Sequence, residues 1–152
     1  MAFRQVKDLL TWIYDFHHRL SDQYSTLANQ QSDERMKMAL VFLADRERRM
    51  RDAMESYLED ADDGLLSTWL IDHQNFGHPS LLERVPLCAG CSDLHDILAN
   101  VMATHQLLKD MYLLRAELAD MPEEAELFQQ LAANQDAEAR LQSRDIARLE
   151  IY

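Results

Sequence analysis

The chain has 152 residues, a length that suits one domain and is large enough to bury a real core. Its apolar share of 47%, with only three Gly and three Pro, excludes long disordered stretches. The formal charge of −12, from 27 acidic and 15 basic side chains, repels phosphate backbones and argues against general nucleic-acid binding. Val, Ile and Thr are scarce, whereas Leu, Ala, Met, Gln, Glu and Arg dominate. Those residues lose little rotamer freedom in a helix, so the class expected is all-α.

Apolar residues recur at three- and four-residue intervals through four segments. The first spans about 6–29, with Leu10, Ile13, His17, Leu20, Tyr24 and Leu27 on one stripe. Ser32 suits the N-cap of the second, about 33–60, whose stripe holds Leu40, Leu43, Glu47, Met50 and Met54. The third, about 93–120, is capped by Ser92 and carries Leu94, Leu98, Val101, His105, Leu108 and Tyr112. The fourth begins at Met121-Pro122-Glu123-Glu124, since Pro fits a first helical turn and acids favour the positive helix end. It continues through Leu127, Leu131, Gln135, Glu138 and Leu141 or Gln142.

Short links between segments one and two, and three and four, predict two antiparallel hairpins. The middle holds all three Gly, two of the three Pro and both Cys, with a short helix expected over 65–73. It reads as a crossover. The organisation expected is a single domain over 1–152, with a first hairpin at 6–60, a crossover at 61–91 and a second hairpin at 92–151. No apolar run approaches the roughly 20 residues of a membrane span, and 1–8 lacks a signal core, so the expected location is cytoplasmic.

The hairpins repeat. A shift of 88 residues places His17 on His105, Leu20 on Leu108, Asp22 on Asp110, Tyr24 on Tyr112 and Ala28 on Ala116. The same shift places Leu43-Ala44 on Leu131-Ala132 and Glu47 on Gln135. One offset covers both helices and the turn, which favours pseudo-two-fold symmetry.

Two such hairpins joined by a long crossover resemble the ferritin-like superfamily, especially its rubrerythrin-type members. The resemblance implies a four-helix bundle with a di-metal centre. In that family the first and third helices offer an inward Glu before a Tyr, and the second and fourth offer Glu-x-x-His. Here those positions fall on His17 and His105, on Glu47 and Met50, and on Gln135 and Glu138. Only Glu47 keeps the family ligand type. Two carboxylates, two imidazoles, an amide and a thioether make a poor match to a di-iron centre, which needs carboxylates to offset two cations.

These polar residues nevertheless interrupt apolar stripes, and burying them without partners would cost several kcal/mol, on the order of 2–7. Three readings follow. One is a closed network in which His17 and His105 donate to Glu47 and Glu138, bridged by Gln135. Another is a single transition metal (iron, zinc or manganese) on His17, Glu47, His105 and Glu138. The third is a small-molecule pocket between the helices. A cofactor is therefore either one such metal or none.

Outside this layer, Cys88 and Cys91 form a Cys-x-x-Cys that suits a redox pair, half of a zinc site with His73, His78 or His95, or plain reduced thiols. The basic run Arg46-Glu47-Arg48-Arg49-Met50-Arg51 reads as a solvated helix face. His18 is expected at the surface, and the eight Met mostly in the core. Tyr24 and Tyr112 read as core residues, and Trp12 and Trp69 as packing or interface anchors. A homodimer is the expected assembly. The function expected is that of a ferritin-like protein without catalysis, in an interaction or stress-associated role. The alternative is a metal-binding, oxidoreductase-like member.

Overall fold

A computed structural model describes residues 4–71 and 93–151. Four long helices run through it: α1 (Val6–Gln30), α2 (Glu34–Asp60), α4 (Leu94–Leu118) and α5 (Pro122–Leu149), with one short turn, α3 (Asp63–Leu66). At 1.5 Å per residue the long helices are each roughly 40 Å in length. The expectation of an all-α four-helix bundle of two hairpins holds.

Three of the four long helices begin beside a side-chain acceptor for an otherwise unpaired amide. Asp8 Oδ2 accepts from Gln5 N at 3.1 Å ahead of α1. Asp33 Oδ1 accepts from Arg35 N at 2.8 Å and Met36 N at 3.3 Å. The cap of α2 is therefore Asp33, not Ser32, because the register that buries Met36, Ala39 and Leu40 needs the acceptor one residue later. Likewise Asp93 Oδ1 caps α4 by accepting from Asp96 N at 2.9 Å. Its neighbour Ser92, the expected cap, lies outside the described residues. Helix α5 instead starts on Pro122, with Glu123 and Glu124 in its first turn and no capping side chain.

The hairpins pack internally, α1 on α2 and α4 on α5, and meet each other more sparsely. Val6, Leu9, Leu10, Ile13, Leu20, Tyr24, Leu40 and Leu43 from the first hairpin share one core with Ile97, Val101, Leu108, Tyr112, Phe128 and Ile146 from the second. At about 2 kcal/mol for each large side chain removed from water, this shared core is the main stabilising term. Tyr112 and Phe128 stack at 6.5 Å, joining α4 to α5 through its middle.

The crossover leaves α2 through α3, which Asp62 caps by accepting from Leu65 N. The short helix ends at Leu66, earlier than expected, because the chain then turns extended beside the start of α1. Thr68 O accepts from Val6 N at 2.9 Å, and Leu70 N donates to Arg4 O at 2.9 Å. An otherwise unpaired helix amide thus gains a partner and the crossover gains an anchor. Arg115 Nη1 of α4 donates to Ile71 O at 2.9 Å, anchoring it to the second hairpin as well.

One expectation about surface and core needs amendment. Met36, Met54 and Met111 are buried, yet Met38, Met102 and Met121 are exposed. Met38 sits about 200° round the helix from Met36, so it points outward when Met36 points in. His18 is exposed as expected, beside Arg51 and Asp22. No helix among the described residues is long and apolar enough to cross a membrane.

Candidate functional site: a polar layer at mid-bundle

His17, Glu47, His105 and Gln135 are all at most 4% exposed, so the sequence pattern located a buried polar layer correctly. In the first hairpin, His17 Nδ1 meets Glu47 Oε2 at 2.6 Å. A carboxylate only accepts, so the ring proton on Nδ1 donates to it, and a ring carrying that one proton presents Nε2 as an acceptor. In the second hairpin, Gln135 Nε2 donates to His105 Nδ1. Both pairs are 30 residues apart and both use the same ring nitrogen, as the 88-residue repeat requires.

Beyond that point the halves diverge. His105 Nε2 donates to Gln142 Oε1 at 2.8 Å, and Gln142 Nε2 donates to Glu138 Oε1 at 3.1 Å. Arg46 then closes the row from the opposite hairpin: Nε reaches Glu138 Oε1 and Nη2 reaches Oε2, both at 2.6 Å. Every link runs from donor to acceptor and ends on the carboxylate. Burial would raise the Glu138 pKa, but hydrogen bonds from Arg46 and Gln142 and the charge of Arg46 hold it below its ordinary value. The reciprocal bond raises that of Arg46.

Arg46 and Gln142 are the site residues that sequence reasoning missed. Arg46 sits in a run that reads as a solvated face, and Arg48 and Arg51 of that run do bind surface partners, Asp45 and Asp52. Arg46 alone turns inward, to a residue 92 positions away. Gln142 was legible through the repeat: the same shift that pairs Met50 with Glu138 pairs Met54 with Gln142.

The four residues expected to converge are thus split in two. His17 is held by Glu47, His105 by two amides, and Glu138 by a guanidinium. The expected donation from His105 to Glu138 passes instead through Gln142, which stands between them. Among the described residues no three His, Cys, Asp or Glu side chains are grouped to hold a metal ion. Cys88, Cys91, His73 and His78 lie outside the described residues, and His95 is exposed on the first turn of α4.

Tyr24 and Tyr112 are buried at 2% exposure. Burial first, and the Glu47 charge second, push both phenols well above their ordinary range, so they stay protonated. Beside Tyr112 a pocket of about 250 Å³ opens between α2 and α5, with His17, Gln135 and Glu138 in its lining.

No family model matches the sequence, and no curated protein matches it. Among solved structures, a Thermotoga maritima protein described as a ferritin-like diiron-carboxylate protein superposes with a TM-score of 0.59. The match covers 95% of this chain and 97% of that one. The fold is ferritin-like. At 15% identity the likeness carries the architecture and not the chemistry.

A ferritin-like fold implies a di-metal centre, and the residues present do not fit one. Of the six corresponding positions, Met50 and Gln135 bring no charge, and His17 and His105 replace carboxylates. Glu138 already has both oxygens on Arg46, whose fixed positive charge opposes a cation beside it.

Proposed function

We propose that this chain is a non-catalytic ferritin-like protein, in which a fixed hydrogen-bonded network takes the place of the di-metal centre. The observation that carries this reading is the fork of Arg46 on both oxygens of Glu138. A guanidinium there supplies, from within the protein, the positive charge that a metal would bring to that carboxylate. Bidentate charge-assisted pairs of this kind are among the strongest hydrogen bonds in proteins, and this one joins the two hairpins. Its role is to hold the hairpins in register, leaving the bundle as an interaction or binding module.

A second reading keeps one iron, zinc or manganese ion on His17, Glu47, His105 and Glu138. It is supported by the description of the Thermotoga maritima protein and by the open space beside His17 and Glu138. It requires Arg46 to release Glu138 and His105 to leave its two amides.

Metal analysis after incubation with each of the three metals and desalting separates the readings. The network reading expects far less than one ion per chain. Stoichiometric metal that disappears in the His17→Ala, His105→Ala double variant would sink it.

A further inference from the structure

The repeat makes one asymmetry stand out. Where the second hairpin has Glu138 and Gln142, the first has Met50 and Met54. The polar pair completes the network, whereas both thioethers line the pocket of about 250 Å³ between α2 and α5. With Tyr57, Tyr112 and Leu131 they make up most of its apolar lining. Flexible Met side chains adapt to irregular shapes and favour contact with aromatic rings.

The polar part of the lining is rich in acceptors. His17 has committed its Nδ1 proton to Glu47, which leaves Nε2 as a lone-pair acceptor on a residue that lines the space. Gln135 gives one N–H to His105, and its carbonyl oxygen is the group it offers to another donor. The Glu138 carboxylate borders the same space, with its charge offset by Arg46. Such a lining suits a neutral donor better than a cation. An apolar cavity of ~150 Å³ holds a benzene, so this volume admits about ten non-hydrogen atoms.

We propose that this pocket binds a small neutral aromatic molecule carrying a single hydrogen-bond donor, of the phenol or indole class. The ring lies among Met50, Met54 and Tyr112, and the donor points to His17, Gln135 or Glu138. The proposal rests on the network reading, because a metal drawing His17 and Glu138 together would close off the polar part of the lining.

The test uses the full chain with isotope-labelled methionine methyls, its metal content measured on the same sample. It is titrated with 4-methylphenol, and with toluene as the matched ring lacking the hydroxyl. The Met50 and Met54 signals should shift while those of Met36 and Met121 stay, and 4-methylphenol should bind about tenfold tighter than toluene. Ala53→Trp, at the exposed rim, should abolish the shifts and leave the thermal melt unchanged. Unmoved Met50 and Met54 in metal-free protein, equal affinity for the two probes, or undiminished binding by the Trp variant would each overturn the inference alone. Stoichiometric metal in the sample overturns the network reading and the inference with it.

Discussion

In the first hairpin His17 meets a carboxylate 30 residues on, and in the second His105 meets an amide at the same spacing. The first pair stops there, bounded by Met50 and Met54 and open to a pocket. The second continues through Gln142 to Glu138 and is closed by Arg46. The two halves share helix lengths, register, and a buried Tyr seven residues after each His. Backbone symmetry therefore survives while side-chain chemistry has separated: where the second half continues in polar links, the first presents thioethers to a pocket shared by both halves. The repeat fixes where groups point, and the residue type at each position decides what they do.

The largest expected effect comes from removing the partner of each histidine. Glu47→Ala should cost about 3 kcal/mol in urea unfolding, because it leaves a buried imidazole that had a charge-assisted bond. Gln135→Ala should cost about 1–2 kcal/mol, as it removes a neutral amide. Equal costs would break the distinction between an ionic half and an amide half.

Next in size is the link between the halves. Arg46→Met should lower stability near neutral pH by about 1–2 kcal/mol, since Glu138 loses both forked bonds in a mostly buried site. The loss should depend on pH in a stated direction. The folded Glu138 carboxyl is held below its ordinary 4.5, so as pH falls the unfolded chain binds that proton first. The contribution is complete above that ordinary value and is lost as pH falls through the folded one. Unfolding measured down an acid series should show the gap between wild type and Arg46→Met closing towards low pH. A gap constant across the series would mean that Arg46 acts by packing and not by charge.

Much of this was legible before any coordinates. Polar residues at regular stripe positions in a Leu- and Ala-rich helix had to be buried, and His17, Glu47, His105 and Gln135 are. The partners were harder to read. The reach of Arg46 across the bundle is set by how two hairpins dock, which no local pattern encodes. Gln142 shares its turn with Leu141, and a period of 3.6 does not choose between adjacent residues until neighbours pack. Glu138 does belong to the row that starts at His105, but the direct bond expected between them is replaced by two links through Gln142.

The smallest effect separates the two hairpin turns. Asp33 caps α2 with two hydrogen bonds, whereas α5 begins on Pro122 behind Met121, whose side chain makes no cap hydrogen bond. Asp33→Ala should therefore cost about 1 kcal/mol, and Ser32→Ala close to nothing, in thermal or urea unfolding. Met121→Asp should work in the opposite direction, gaining up to about 1 kcal/mol by accepting from the first turn of α5. The gain is expected at the low end, because Glu123 and Glu124 already place negative charge there and would repel a third acid. Met121→Ser supplies the same acceptor without that charge. If Ser stabilises more than Asp, the second turn is limited by electrostatics. If neither does, Pro122 already sets the start of α5 as firmly as Asp33 sets that of α2.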